Sequence, residues 1–212
     1  MNIIFKNTRL VLLIFIVISI SSCKTKAIKN TKWTPETGFT SLFNGNDLSN
    51  WCFRVKPING KSKPGEITTS FDGKKESNDN GRYSAKDGVL TVNFPKEKER
   101  LFSQMWTTEE FSEDFVLKIQ FRASPNADSG IYIRGRQLQC RDYLVAGPYK
   151  ELKHYKPQEW NQIEITVKGN EAYCTCNGEV LEEALKIPEI GAIGLEGDRG
   201  QMEYRHIQLK KL

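Results

Sequence analysis

Histidine is scarce in this 212-residue sequence, which contains only His154 and His206. Two histidines, together with cysteines at unsuitable spacing, argue against a structural zinc site. The sequence has no P-loop, no glycine-rich phosphate loop followed by a helix and no GxSxG nucleophile elbow. It also lacks a loop with the run of oxygen ligands that calcium prefers. We therefore predict neither a metal site nor a cofactor.

Helical periodicity is absent as well, and a period of two takes its place. Segments 115–122 and 162–168 alternate apolar and polar residues, as strands with one buried face do. Gly169-Asn170 and Asn177-Gly178 are pairs typical of hairpin turns. Together these patterns predict an all-β protein, an antiparallel two-sheet sandwich formed by one domain over residues 33–212.

Long apolar runs are missing except near the N-terminus, where Leu10–Ile20 spans 11 residues. This run is short for a membrane span, which takes about 20 residues, but it suits a signal peptide over residues 1–22. The sequence "ISSC" that follows resembles a bacterial lipobox, which predicts lipidation of Cys23 and a tether over residues 23–32. The alternative is an ordinary secretory signal with a chance cysteine. On the lipoprotein interpretation we expect an anchor in a bacterial membrane, the outer membrane facing the periplasm.

The basic charge lies outside the predicted domain. The full chain is +5, and residues 1–32 contain six basic residues and no acidic ones, which leaves −1 from Trp33 onward. A nucleic-acid partner would require a basic face on the folded unit, so we expect none.

The remaining cysteines are Cys52, Cys140, Cys174 and Cys176. Export permits disulfides, but Cys174 and Cys176 share the inward face of a strand, which favours buried free thiols.

Two polar segments, 56–82 and 144–160, read as long surface loops. Between them, "SGIYIRGRQLQCRDY" (129–143) reads as two strands around a Gly135-Arg136 turn. Alternation puts Ile131 and Ile133 on the core face and Tyr132 and Arg134 on the opposite face. On the second strand, the residues expected on that polar face are Gln137, Gln139 and Arg141.

Several blocks of the sequence resemble the 3-keto-disaccharide hydrolase family. They are "FTSLFNGNDLSNW" (39–51), "RASPNADSGIYIRG" (122–135), "QLQCRDY" (137–143), "EWNQIEITVKGNEAYCTCNGEVLEE" (159–183) and "IGAIGLEGDRGQMEYRHIQLKKL" (190–212). The resemblance implies a concanavalin A-like jelly-roll sandwich that cleaves glycosides whose C3 hydroxyl has been oxidised to a ketone. Gln139 and Asp142 match the family pattern. Gln137 stands where the family has a glutamate, Glu196 stands at a family glutamine, and Arg199 lies near a family histidine.

Such chemistry needs a base for the proton on C2 and a donor or cation beside the developing enolate. The candidate catalytic residues are Asp142, Glu196, Arg134 and His154. The candidate substrate-binding residues are Tyr132, Gln139, Arg199, Asp128 and Trp160. Several of them have a simpler interpretation: Glu196 as part of a charged turn, His154 as a surface histidine, Tyr132 and Trp160 as packing residues, and Arg134 as a solvated or ion-paired surface residue.

Two alternatives remain open. Asp142 and Glu196 could act as the carboxylate pair of an ordinary glycosidase, which lie about 5–9 Å apart. The second alternative is a carbohydrate-binding, lectin-like module without catalysis, which is open because the family glutamate and histidine are replaced.

Overall fold

The computed structural model describes residues 33–55, 65–95, 101–142 and 147–212. The predicted signal peptide, Cys23 and the tether lie outside the described residues. In chain order the first seven strands are β1 (Thr40–Ser41), β2 (Trp51–Arg54), β3 (Ile67–Ser70), β4 (Tyr83–Lys86), β5 (Val89–Val92), β6 (Ser103–Thr107) and β7 (Phe115–Ala123). The last seven are β8 (Asp128–Ile133), β9 (Arg136–Arg141), β10 (Asn161–Lys168), β11 (Glu171–Cys176), β12 (Glu179–Lys186), β13 (Ile193–Gly197) and β14 (Met202–Lys211). One turn of 3-10 helix, Pro148–Glu151, lies between β9 and β10.

The strands form two antiparallel sheets. The large sheet runs β12-β11-β10-β7-β14-β5-β4, with β1 also paired to β14. The small sheet runs β3-β2-β6-β13-β8-β9. The predicted all-β jelly-roll sandwich is confirmed. Across the described residues, no helix is long and apolar enough to cross a membrane.

The core lies between the sheets and follows the predicted alternation. On β7, Phe115, Leu117, Ile119 and Phe121 are buried, and the residues between them are not. Ile119 lies opposite Ile163 of β10, so the two inward rows meet in register. Burying each such side chain stabilises the fold by about 1.5–3 kcal/mol.

The four cysteines of the domain are buried and free, which the alternation predicted for Cys174 and Cys176. Burial raises the pKa of the Cys174 and Cys176 thiols to about 12. Raised thiol pKa values make these side chains poor nucleophiles.

The prediction of a surface loop over 56–82 is wrong for its second half, and residues 56–64 lie outside the described ranges. Residues 67–70 form β3, which pairs with β2 at the edge of the small sheet. Phe71 is fully buried and packs edge-on against Phe53 at 4.8 Å between centroids. An aromatic anchor and the buried Arg82 hold this segment on the sandwich, although its composition is that of a loop.

Candidate active site

A set of polar side chains lies on the outer face of the small sheet, turned away from the large sheet. Leu195 of β13 and Ile131 of β8 belong to the core. Because side chains alternate along a strand, Glu196 and Tyr132 project to the opposite side. The core-facing and outward-facing rows of the 129–141 hairpin are therefore those predicted, with Arg134 as the exception.

Cross-strand register brings the outward side chains together. Glu196 lies opposite Gln104 of β6, while Gly194 lies opposite Trp106 on one side and Tyr132 on the other. Tyr132 in turn lies opposite Gln137 of β9. We call these side chains the outer-face cluster: Gln104, Trp106, Tyr132, Gln137 and Glu196.

Glu196 is the carboxylate of this cluster, and only 3% of it is exposed. The Nε2 group of Gln137 donates a hydrogen bond to its Oε2 atom. Burial raises the pKa of the nearby Tyr132 hydroxyl, and the negative charge of Glu196 raises it further. The phenol therefore stays protonated at neutral pH and remains a hydrogen-bond donor.

Two glycines provide the space that these side chains occupy. A Cβ atom on Gly130 would lie 2.5 Å from Gln137 Nε2 and 2.8 Å from Glu196 Oε2. A Cβ atom on Gly194 would lie 2.6 Å from Cε3 of the Trp106 ring. Because strand β8 separates β9 from β13, the missing side chain at Gly130 is what lets Gln137 reach Glu196.

Trp106 forms the apolar side of the cluster. Its ring meets Tyr132 edge-on at 5.1 Å between centroids and packs against Cys52 and Ala192. A flat apolar surface beside hydrogen-bonding groups is an arrangement that suits a sugar ring.

A cavity of about 670 Å³ adjoins the cluster, and Gln104 and Trp106 belong to its wall. Other wall residues include the aromatic rings of Phe53, Phe94 and Phe102 and the polar groups of Arg54, Asp79, Asn80, Arg82 and Asn93. Its volume is within the range of small-molecule sites, about 300–1,000 Å³.

Charged residues continue the outer face beyond Glu196. Arg199 Nη2 donates to Asp128 Oδ2 at 3.0 Å, and Arg141 Nε lies 3.2 Å from Asp128 Oδ1. The backbones of Asp128 and Arg199 also exchange two hydrogen bonds, of 2.9 and 3.0 Å. Gln139 lies opposite Gly130, next to the cluster, and its buried Oε1 atom accepts no hydrogen bond from the described residues.

Comparison with known families identifies the domain. Residues 38–210 match the profile of the 3-keto-alpha-glucoside-1,2-lyase-like domain. The chain belongs to this family. The family predicted from the sequence blocks is thereby confirmed, and the domain is one that acts on carbohydrate.

Two solved structures are similar to this lyase-like domain. A candidate glycosyl hydrolase from Parabacteroides distasonis ATCC 8503 is 16% identical, covers 82% of this chain and 94% of its own, and has a TM-score of 0.56. A second one from the same organism is 22% identical, covers 61% and 90%, and has a TM-score of 0.49. The first shows the sandwich fold. No curated protein matches the chain.

Arg134 does not join the outer-face cluster of the lyase-like domain. Ile133 pairs with Arg136, so the hairpin turn is Arg134-Gly135 and not the predicted Gly135-Arg136. Arg134 has a φ of 52° and its side chain is fully buried. Its guanidinium donates to the carbonyls of Glu113, Gly169 and Pro188 at 2.7, 2.8 and 3.4 Å. The structure thus places Arg134 as a link between loops.

Asp142 also lies apart from Glu196. It follows the end of β9 and accepts hydrogen bonds from Gln158 and, at 2.6 Å, from the Tyr155 hydroxyl. The Tyr155 ring packs against Phe121 of the core, so Asp142 is on the core side of the small sheet. There it fastens the segment after residue 147, which reads as a loop but inserts Tyr149 and Tyr155 into the sandwich.

His154 and Trp160 lie beside strands of the large sheet. The His154 side chain is 69% exposed, with Nδ1 3.6 Å from Glu179 at the start of β12. Trp160 lies on the outer face of the large sheet, with the Arg122 and Arg205 guanidinium carbons 4.7 and 4.1 Å from its ring centroid. Neither residue is near the cluster, because the two outer faces are on opposite sides of the sandwich.

Sequence reasoning left Gln104, Trp106, Gly130 and Arg82 out of the site and gave Gln137 no role. Alternation in "FSQMW" would have put Gln104 and Trp106 on one face, opposite Met105. Nothing local indicates that β6 lies beside β13, so their proximity to Glu196 could not be read from the sequence. Within the described ranges, no three His, Cys, Asp or Glu side chains are grouped as a metal site would need.

Proposed function

We propose that this lyase-like domain cleaves 3-keto-glycosides by 1,2-elimination, with Glu196 as the base. A ketone at C3 acidifies the proton on C2, so a carboxylate can remove it and leave an enolate. When the C3 carbonyl re-forms, a C1–C2 double bond forms, the bond from C1 to the leaving oxygen breaks, and that oxygen takes up a proton from water. Water can later add across this double bond to give the free 3-keto sugar.

The observation that carries this proposal is the position of Glu196. It is a buried carboxylate on the outer face of the small sheet, held by the Gln137 amide and flanked by a phenol that stays neutral. Tyr132 and Gln104 are the donors that could stabilise the enolate oxygen, in the way oxyanion donors do. The cluster therefore holds one base and neutral donors, which is the set that elimination requires.

The departures from the family pattern support the same assignment. The family glutamate and glutamine correspond to Gln137 and Glu196, and these two side chains are hydrogen-bonded to each other. The site thus keeps one carboxylate and one amide in contact, exchanged between β9 and β13. Asp142, with both carboxylate oxygens engaged on the core side, has no part in the proposed reaction.

The test is turnover of 3-keto-trehalose and 3-keto-lactose beside the unoxidised sugars, in D₂O, followed by mass spectrometry. We expect cleavage of the keto substrates alone, with solvent deuterium incorporated at C2 of the recovered keto substrate or product. Glu196→Gln should lower kcat by about 100- to 10,000-fold, the range for loss of a general base. Glu203→Gln, on the outer face of the large sheet, is the matched control and should be unaffected.

Other outcomes would identify the alternatives. Cleavage of unoxidised sugars would indicate a two-carboxylate glycosidase. Sugar binding without any cleavage would indicate a lectin-like module.

We also propose that the domain is carried by an outer-membrane lipoprotein anchored at Cys23. The support is the apolar run that ends in "ISSC". In a bacterial host, Cys23→Ser should move the protein from the membrane fraction to the soluble periplasmic fraction. A wild-type N-terminal peptide without added acyl mass would contradict this proposal.

A further inference from the structure

We infer that the cavity beside Gln104 and Trp106 is the subsite for the leaving group, and that Arg82 is its hydrogen-bond donor. This inference rests on the proposed elimination, because it assigns the two halves of the substrate to the two parts of the site. The oxidised sugar lies over Glu196, and the departing half lies in the cavity. Gln104 and Trp106 belong to both parts, which places the scissile bond near them.

Arg82 lines the cavity and has unused hydrogen-bond donors. The residue is 3% exposed, and only its Nη2 group is bonded, to the Leu101 carbonyl at 2.7 Å. Its Nε and Nη1 groups are buried and find no acceptor among the described residues. Buried donors without acceptors are unfavourable, so such a pair in a cavity wall indicates a place for an oxygen of a ligand.

The other arginine of the cavity wall is bonded through both of its Nη groups, and only its buried Nε group finds no acceptor among the described residues. Arg54 Nη1 pairs with Glu110 at 2.9 Å and also reaches the Gly65 carbonyl. Its Nη2 donates to the carbonyls of Thr107 and Thr108 at 3.2 and 2.8 Å. Both Nη groups of Arg54 are therefore held by the protein, whereas Arg82 keeps Nη1 as well as Nε for the ligand.

The position of the Arg82 guanidinium is fixed by its surroundings. A Cβ atom on Gly197 would lie 2.4 Å from Arg82 Nη2, so the group fills the space that this glycine leaves open. Its Cζ atom also lies 5.6 Å from the centre of the Phe94 ring. Because the guanidinium is held on both sides, it cannot rotate to bond another group of the protein. Its free donors therefore form a preformed binding site for a ligand oxygen.

Charge in the cavity wall favours a neutral leaving group. Arg54 is balanced by Glu110, and Asp79 lies in the wall with Arg82, whose backbone N–H it accepts at 3.3 Å. A carboxylate on the leaving group would therefore lie beside Asp79 and be repelled by its negative charge. The aromatic rings of Phe94 and Phe102 suit the apolar face of a ring. The leaving group is accordingly a neutral hydroxylated ring, a second sugar, with ring or hydroxyl oxygens that accept from Arg82.

The experiment compares three 3-keto-glucosides with the same oxidised half. Their leaving groups are glucose, glucuronate and methanol, and kcat/KM is measured for each with the full chain. We expect the wild type to prefer the glucose leaving group to both others by at least about 10-fold. Arg82→Met should lower kcat/KM for the disaccharide by about 10- to 100-fold, as loss of hydrogen bonds from a charged donor would. The methyl glycoside should change less than about twofold, since it makes no contact with Arg82.

Controls separate a subsite from a structural effect. Arg122→Met removes an arginine from the opposite face of the sandwich and should leave all three rates unchanged. Phe102→Ala alters a wall residue that is 41% exposed, so it should fold even if Arg82→Met does not, and it should show the same selective loss. Equal losses for the disaccharide and the methyl glycoside in both variants would overturn the inference.

If no keto substrate is cleaved, the proposed function fails but the subsite can still be tested. Calorimetry with unoxidised trehalose should then detect binding that Arg82→Met or Phe102→Ala weakens at least about 10-fold. Binding that neither variant changes, or no binding at all, would overturn the subsite as well.

Discussion

Adding one methyl group at Gly130 tests the geometry of the outer-face cluster most directly. Gly130→Ala places no strain on the backbone, because its φ lies outside the left-handed region. The new Cβ would meet Gln137 Nε2 at 2.5 Å, Gln137 Cγ at 2.6 Å and Glu196 Oε2 at 2.8 Å. Ordinary contacts at a Cβ atom are 3.4–4 Å, so both side chains must move by roughly 1 Å.

This displacement should reduce both catalysis and stability. Losing the hydrogen bond from Gln137 to the Glu196 carboxylate costs about 1.5–3 kcal/mol, measurable as a shift of the urea midpoint. A misplacement of about 1 Å at a catalytic group can lower kcat/KM by about 100-fold, which the keto-sugar assay would detect.

The double variant Gly130→Ala with Gln137→Ala identifies the cause of the loss. Removing the Gln137 amide gives the new methyl group space, so the two changes should be non-additive in stability. Wild-type activity and an unchanged urea midpoint in Gly130→Ala would refute this account of how Glu196 is held.

Three further results are expected. Arg134→Met should lower the free energy of unfolding by about 3–5 kcal/mol, because three backbone carbonyls lose a charged donor. The half-buried Arg122→Met, which loses an ion pair with Glu203, should change it by less than about 1 kcal/mol. Equal urea midpoints for the two would contradict the role of Arg134. Asp142→Asn should keep kcat/KM within about threefold. It should lower the free energy of unfolding by about 1–2 kcal/mol, seen as a lower urea midpoint, since it affects only the bonds from Tyr155 and Gln158. A loss of activity near that of Glu196→Gln would show that Asp142 takes part in the reaction. Burial raises the pKa of five tyrosines, which are Tyr83, Tyr132, Tyr149, Tyr155 and Tyr204. In the unfolded chain these phenols ionise near pH 10, so the free energy of unfolding should be unaffected below about pH 10 and should fall as the pH rises further. Absorbance at 295 nm should show them ionising only with unfolding, and their ionisation near pH 10 in the folded protein would contradict this.

Most of the fold could be predicted because alternation is local information. The inward rows of β7 and β10 and the buried thiols of β11 are visible in the order of the residues alone. The turn of the 129–141 hairpin was misplaced by one residue because a non-glycine residue, Arg134, adopts a positive φ there. Its contacts with Glu113 and Gly169, which are distant in sequence, outweigh the local preference.

The candidate site was only partly predictable, for a related reason. Glu196, Tyr132 and Gln139 were found because alternation or the family blocks indicated them. Asp142 was a candidate base because it matches the family pattern, but strand β9 ends at Arg141 and the Asp142 side chain meets Tyr155 on the core side. Which strands become neighbours depends on the packing of the whole sandwich, so the proximity of Gln104 to Glu196 had no local signal.

The two tyrosines that Asp142 helps to position also affect how the molecule meets its neighbours. Strand β9 ends the small sheet, and its outer edge would offer unpaired carbonyls to a strand of another molecule. The Tyr149 hydroxyl donates to the Gln139 carbonyl at 2.7 Å. The Tyr155 hydroxyl, which donates to Asp142, lies 3.2 Å from the Arg141 carbonyl and covers it. Phenol groups thus occupy edge acceptors that a foreign strand would use. The loop after β9 therefore protects the sheet beside the active site against edge-to-edge aggregation.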